Sequence, residues 1–191
     1  MRTESGVSSI SAEAWIAPDS SVIGNVTIGP GCRIMPGVRI VAEAGGAIRL
    51  GRNCIVLENA VIRATARHDC SIGDHCLIGP HAHVVGAEIA DEVFIATGAS
   101  VFHGARIGEG SEVRINAVVH LSTRLEPGAT VPIAWVAVGD PARLLPPDRH
   151  EEIWEVQRRL DFPGSVYGVD RTQPHVMRTI TARLADELGS D

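Results

Sequence analysis

Histidines are the side chains of this chain that are best suited to chemistry. His81 and His83 form a His-x-His pair, a spacing at which two imidazoles can hold a divalent metal such as zinc. His103 and His120 are candidates for general acid–base catalysis, because an imidazole changes its charge near neutral pH. The sequence leaves open whether these histidines converge on one site or lie separately on the surface.

Polar side chains around Arg63 form a second candidate site. The guanidinium of Arg63 can bind a carboxylate or a phosphate through two hydrogen bonds, or it can form a salt bridge with Glu58 of a neighbouring subunit. Both interpretations stay open. The candidate ligand-binding residues are Glu58, Asn59, Arg63, Arg114 and Asn116. They predict a polar pocket for a small, anionic molecule.

A six-residue repeat must position these side chains. Between Ser71 and Glu112 an aliphatic residue returns every six places, with one step shortened to five, and a small residue follows four places after most of them. The aliphatic positions are Ile72, Ile78, Val84, Ile89, Ile95, Val101 and Ile107. This period is typical of a hexapeptide β-helix. Three hexapeptides form a coil of about 18 residues, so residues 10–131 predict about seven coils.

The chain divides into three predicted parts. Residues 1–9 are polar and predicted to be a flexible N-terminus, residues 10–147 form the β-helix, and residues 148–191 form a C-terminal helical appendage. The repeat is disturbed at residues 42–47, where two glycines indicate a bulge or small insertion, and at residues 64–71, which predict a loop leaving the coil. In the appendage, residues 149–160 and roughly 173–188 have helical periodicity, and the PGSVYG segment between them predicts a break.

Composition excludes several classes of function. The net charge is −6 and no basic patch is interleaved with aromatic residues, which argues against a nucleic-acid partner. No run of 18 apolar residues and no apolar N-terminal stretch is found, so we expect a cytoplasmic protein without a membrane partner. Cys32, Cys54 and Cys76 occupy the small inward position of the repeat and predict reduced core residues, whereas Cys70 is predicted to lie in a loop.

Residues 72–110, IGDHCLIGPHAHVVGAEIADEVFIATGASVFHGARIGEG, resemble the γ-class carbonic anhydrases. The likeness is closest in FIATGASVFHGARI, extends over about residues 20–147, and includes the closing motif VGDPAR. It implies a left-handed parallel β-helix, a homotrimer, and a zinc ion held by three histidines from two subunits. The three ligand positions carry Arg63, Pro80 and Val85 here. None of these side chains can donate a lone pair to zinc.

The resemblance implies altered supporting residues as well. The family's catalytic glutamine corresponds to Leu57, its neighbouring aspartate to Glu58, and its Arg-Gly-Asp motif to residues 42–44. Our leading hypothesis is therefore a divergent homotrimer of this group that binds a small, anionic molecule between subunits, with standard zinc-dependent CO2 hydration not expected. A relocated divalent-metal site that joins His81 or His83 to His103 or His120 stays open. The alternatives are an acyl-CoA-dependent acyltransferase and a non-catalytic scaffold or interaction subunit.

Overall fold

Three parallel sheets form the faces of a β-helix in a computed structural model of the chain, which describes residues 8–43 and 45–188. Most of the predicted flexible N-terminus, residues 1–7, lies outside the described residues, as does Ala44. Ser9 already belongs to the first strand. Each strand pairs with the strand one coil before it and the strand one coil after it, and the sheets contain 7, 7 and 8 strands. The prediction of about seven coils is therefore confirmed.

Each strand is two to four residues long, and each sheet takes every third strand along the β-helix. Sheet A consists of β1 (Ser9–Ile10), β4 (Val26–Ile28), β7 (Ile48–Leu50), β10 (Cys70–Ile72), β13 (Glu88–Ile89), β16 (Arg106–Ile107) and β19 (Arg124–Leu125). Sheet B consists of β2 (Trp15–Ile16), β5 (Arg33–Ile34), β8 (Ile55–Val56), β11 (Leu77–Ile78), β14 (Phe94–Ile95), β17 (Glu112–Val113) and β20 (Thr130–Val131). Sheet C consists of β3 (Ser21–Ile23), β6 (Arg39–Ala42), β9 (Val61–Ala64), β12 (His83–Val85), β15 (Ser100–Val101), β18 (Val118–Val119), β21 (Val136–Val138) and β22 (Arg143–Leu145).

The core is a stack of aliphatic side chains in register. Ile62 pairs with Val84, which pairs with Val101, and all three are completely buried. Since alternate residues of a strand point to opposite faces, the residues that flank these positions face outward. The hexapeptide period therefore sets both the narrow apolar interior and the outward columns of side chains.

A column of cysteines fills part of this interior, as predicted. The thiols of Cys32, Cys54 and Cys76 are buried and unpaired, and they donate hydrogen bonds of 3.0, 3.0 and 3.1 Å to carbonyls of the next coil. Cys70 was predicted to lie in a loop, and this is wrong: it begins strand β10 and is 1% exposed. The loop is shorter than predicted, because Ala64 still belongs to β9 and only residues 65–69 leave the coil.

The C-terminal segment closes the β-helix and then covers part of sheet C. Strand β22 pairs antiparallel with β21, and helix α1 (His150–Gln157) places Ile153 against Val138 and Leu145. Two further helices follow, α2 (Phe162–Tyr167) and α3 (Val176–Leu188). The PGSVYG segment was predicted to be a break but mostly forms α2, because proline is tolerated in the first turn of a helix. Across the described residues, no helix is both long and apolar enough to span a bilayer.

Candidate functional site

A cavity of about 630 Å³ lies over the outer face of sheet C. Its floor is sheet C, one side is the loop of residues 65–69, and the opposite wall is formed by α2 and α3. The floor and side are lined by Glu43, Arg63, Thr65, Ala66, Arg67, His83, Val85, Phe102 and His103. The helical wall is lined by Phe162, Val166, Tyr167 and Leu184. All of these walls belong to one chain, and the cleft between subunits stays a prediction.

The register of sheet C brings the floor residues together. Val85 pairs with Arg63 in the preceding coil, and His83 pairs with Ser100 in the following coil. Phe102 follows Val101 and therefore stacks next to Val85, with its ring 6.4 Å from that of His83. The outward column of Arg63, Val85 and Phe102 thus supplies a cation and an apolar surface to the floor of the cavity. The adjacent column supplies the imidazole of His83.

Arg63 forms an ion pair with Glu43 at the edge of the cavity. Glu43 comes directly after β6, whose pairing with β9 places Val41 opposite Arg63. The two side chains are 38% and 24% exposed, so the pair is partly shielded from water. Within the described residues of one chain the partner of Arg63 is Glu43, and the salt bridge to Glu58 of a neighbouring subunit stays a prediction.

The loop places His68 against the cavity residue His103. The rings of His68 and His103 lie 5.2 Å apart in an edge-to-face arrangement. Both pack on Gly86, which has φ +56°, and a Cβ at that position would lie 2.5 Å from the Cβ of His68. Glycine is therefore required here for both the backbone conformation and the close approach of the loop.

Four histidines, of which His103 is buried and the others are half-buried, are held in their neutral form near pH 7. Burial, reinforced by His68, His83 and Arg63, lowers the pKa of His103 to about 4. Burial also lowers the pKa of His68, His83 and His120, with Arg67 adding to the effect at His68 and Arg63 at His83. One buried ring nitrogen of each finds no hydrogen-bond partner within the described residues: His68 Nδ1, His83 Nε2, His103 Nδ1 and His120 Nδ1. Of the four, His83 and His103 line the cavity, and they do so as uncharged rings.

The other predicted site residues lie outside this cavity. His120 stacks on the far side of Phe102, with ring centroids 6.2 Å apart. The remaining predicted residues lie in the corners that join sheet B to sheet C in three different coils: Glu58, Asn59, His81, Arg114 and Asn116. The structure therefore brings together Arg63, His83 and His103 and does not bring these five to them within one chain.

Local geometry explains the placement of two of these corner residues. His81 does not lie on the strand that carries His83, because it has φ +57°, a left-handed conformation that ends extended structure. Arg114 is an exposed residue that pairs with Glu112 at 2.5 Å. The His-x-His pair is thus divided between an exposed corner and the cavity.

The three positions that hold zinc in the γ-class enzymes do not fit a zinc ion here. Arg63 and Val85 are neighbours in sheet C, and Pro80 lies in the corner between sheets B and C. A cation, an apolar side chain and a proline ring provide no lone pair for a metal. Within residues 8–43 and 45–188, no group of three or more His, Cys, Asp or Glu side chains is assembled for a metal ion.

Several lining residues were missed from the sequence. Glu43 was noted only as part of the altered Arg-Gly-Asp position, because the repeat is disturbed at residues 42–47, where Glu43 pairs with Arg63. Arg67 lies in the 65–69 loop, and its guanidinium occupies the space where Gly168, at the end of α2, would carry a Cβ. No periodic signal in the sequence indicates that contact, which joins residues about a hundred places apart.

Comparison with known proteins places the chain among hexapeptide-repeat proteins. The model of the family described as "Bacterial transferase hexapeptide (six repeats)" matches residues 8–42. Gamma carbonic anhydrase 1, mitochondrial, of Arabidopsis thaliana is 31% identical over 150 residues, which cover 75% of this chain and 52% of that protein. The carboxysome assembly protein CcmM of Synechococcus elongatus is 29% identical over 92% of this chain and 34% of its own length.

A solved structure shows the fold of this chain. The UDP-N-acetylglucosamine acyltransferase LpxA of Bacteroides fragilis matches with a TM-score of 0.61, over 94% of this chain and 79% of that one, at 16% identity. The likeness shows the left-handed parallel β-helix that the sequence predicted and, at this identity, nothing of the activity. The chain spans about half the length of the curated γ-class relatives that it matches.

Proposed function

Since the chain is a γ-carbonic-anhydrase-like hexapeptide-repeat protein, we propose that it is a divergent homotrimer that binds a small, anionic molecule in the cavity beside Arg63. Standard zinc-dependent hydration of CO2 is not part of this proposal. One observation carries it: the position of a zinc ligand is occupied by an arginine that faces a cavity containing neutral histidines. A fixed cation can bind an anion but cannot activate a metal-bound water.

The charge of the cavity supports an anionic ligand. Arg63 and Arg67 line it together with one carboxylate, that of Glu43, and the histidines that line it are neutral near pH 7. The lining therefore carries one positive charge in excess, and a bound anion would neutralise it. If the site is catalytic, His103 is the residue placed to exchange a proton with a bound molecule, whereas His120 lies behind Phe102.

The outer face of sheet B supports the trimer. Ile55, Leu77 and Phe94 stack in register on that face, and Leu77 and Phe94 are each 36% exposed. An exposed apolar column of this kind suits a subunit interface. The position of Pro80 on the adjoining edge, away from Arg63 and Val85, agrees with the family's arrangement of two ligand positions in one subunit and one in its neighbour.

The corner residues find a role in the same arrangement. In such a trimer the edge between sheets B and C of a second subunit faces the open side of the cavity, with Glu58, Asn59, His81, Arg114 and Asn116 on it.

A cytoplasmic location is also part of the proposal, and four unpaired cysteines support it.

Binding of simple anions to the whole protein tests this function. The protein is purified without chelators, its oligomeric state is measured by light scattering, and acetate, benzoate and phosphate are titrated by calorimetry. We expect a trimer that binds at least one of these anions, and Arg63→Gln should weaken that binding by about tenfold or more, because a charged hydrogen bond is lost. The control Arg52→Gln removes an exposed arginine that pairs with Asp74 and does not line the cavity.

Two results would overturn the proposed function. One is a protein that binds none of the three anions, which favours a scaffold role. The other is Arg63→Gln protein that binds them as wild type does. Parallel titration with coenzyme A addresses acyl transfer, because binding of coenzyme A in preference to every simple anion would favour an acyltransferase.

A further inference from the structure

The cavity beside Arg63 is larger and more apolar than a site for a simple inorganic anion requires. Its volume of about 630 Å³ lies within the range of roughly 300–1,000 Å³ that is usual for sites of small organic ligands. Most of its helical wall is hydrocarbon, including Phe162, Val166 and Leu184. Size and lining thus indicate an organic molecule with a substantial apolar part.

We propose that the cavity binds an aromatic monocarboxylic acid, with its carboxylate at Arg63 and its ring between Phe102 and the helices α2 and α3. This inference rests on the proposed function, which requires only that an anion binds beside Arg63. It adds the chemical class of the ligand and the residues that select it.

The polar end of the cavity suits a single carboxylate. The lining contains two arginines, Arg63 and Arg67, and one carboxylate, that of Glu43, so it carries one positive charge in excess. Arg63 keeps donors beyond the one that bonds Glu43, because a guanidinium has five N–H groups. His83 and His103 line the same end as uncharged rings, so they add no charge that would call for a second carboxylate.

The apolar end suits a ring. The side chain of Phe162 stands edge-to-face against that of Tyr167, with centroids 5.5 Å apart and planes at 88°. Phe162 stays 43% exposed although it lines the cavity, so an apolar body bound there would remove its ring from water. On the opposite side Phe102 and the buried Val85 provide a second apolar surface. Aromatic surfaces on two sides favour a flat aromatic body over a flexible aliphatic one.

The wall formed by α2 is held to the polar end through Arg67. Its guanidinium lies against Gly168, at the C-terminal end of α2, and faces the carbonyl of Gly164 at 3.5 Å. The N–H groups of Arg183 in α3 approach the carbonyls of Tyr167 and Gly168 at 3.4 and 3.2 Å. A carboxylate that engages Arg67 would therefore contact the same residue that fixes the aromatic wall, which couples the two ends of the ligand.

A matched ligand series tests the proposed class. Acetate, phenylacetate and the neutral phenylacetamide are titrated by calorimetry into the full chain at pH 7. We expect phenylacetate to bind at least about tenfold more tightly than acetate, because it buries a ring, and at least about tenfold more tightly than phenylacetamide, because it carries the charge.

Two variants locate the ring. Phe162→Ala and Leu184→Ala change side chains at the cavity wall that are not fully buried, and circular dichroism checks that each variant folds. Each variant should weaken the binding of phenylacetate several-fold and leave the binding of acetate unchanged. The control Trp154→Ala removes an exposed aromatic residue of α1 that does not line the cavity, and it should leave the affinities for both carboxylates unchanged.

The outcomes separate this inference from the proposed function. If acetate and phenylacetate bind equally, or if both wall variants bind phenylacetate as wild type does, the aromatic class is refuted while anion binding stands. If phenylacetamide binds as tightly as phenylacetate, the anionic site itself is refuted. If neither carboxylate binds, the aromatic class is refuted for the protein in solution.

Discussion

His103 should make the stability of this protein strongly dependent on pH. Its imidazole is 9% exposed, and burial with nearby positive groups lowers its pKa from 6.5 to about 4. Between these two values the unfolded chain binds a proton that the folded chain does not, so lowering the pH favours unfolding. The contribution of neutral His103 to the free energy of unfolding is fully present above pH 6.5 and is lost as the pH falls towards 4.

The size of the effect follows from the two pKa values. Each tenfold change in proton affinity is worth about 1.36 kcal/mol, so the step from 6.5 to about 4 corresponds to about 3 kcal/mol in total. By linkage, about 2 kcal/mol of this is lost between pH 7 and pH 5. Other groups also titrate in that range, and the measured quantity is therefore the difference between wild type and His103→Gln.

Chemical denaturation at a fixed protein concentration measures this difference. From pH 7 to pH 5 the free energy of unfolding should fall by about 2 kcal/mol more in wild type than in His103→Gln. Val85→Ala is the control, because it removes buried apolar volume from the same cavity without removing an ionisable group. NMR titration of the His103 ring gives the pKa directly. A ring that titrates near 6.5, or equal losses in wild type and His103→Gln, would refute the reasoning.

Two further predictions concern the altered zinc position and the core. The triple variant Arg63→His, Pro80→His, Val85→His should bind about one zinc ion per subunit as a trimer, as measured by elemental analysis after dialysis. The control Pro80→His alone should bind no zinc. A folded triple variant without zinc would contradict the strand register or the trimer. The thiols of the four cysteines should resist a thiol reagent in the native protein and react with it after denaturation. Each cysteine is at most 1% exposed, and burial raises the pKa of Cys70 to about 11. Rapid labelling of the native protein would contradict the burial of these cysteines. These thiols belong to Cys32, Cys54, Cys70 and Cys76.

The fold could be predicted in detail because one local rule decides it. An aliphatic residue every six places fixes both the strand and the face that each side chain occupies, so Ile62, Val84 and Val101 could be placed in one column from spacing alone. Exceptions occurred where a non-local contact overrides the local pattern. Cys70 was placed in a loop because polar residues precede it, yet its pairing with Ile48 in the preceding coil returns it to sheet A.

The candidate site could be predicted only in part for the same reason. Arg63, His83 and His103 lie on the repeat, and their convergence follows from register. Glu43 lies where an insertion interrupts the register, and Arg67 belongs to a loop whose path is set by packing on Gly86 and Gly168. The aromatic wall comes from helices joined to the β-helix by tertiary packing, which spacing along the chain does not encode.

Replacement of a zinc ligand by arginine changes the kind of chemistry that this scaffold can support. A bound metal lowers the pKa of its water and thereby makes a nucleophile, whereas a guanidinium stays protonated and has no open coordination position. The proton-transfer groups left beside Arg63 are His83 and His103, both neutral near pH 7. Because burial holds the pKa of His103 at about 4, that ring is a weak base towards solvent and serves better as a hydrogen-bond partner for a bound carboxyl group. The same burial that makes His103 a poor general base at pH 7 therefore favours binding over turnover as the main role of the cavity.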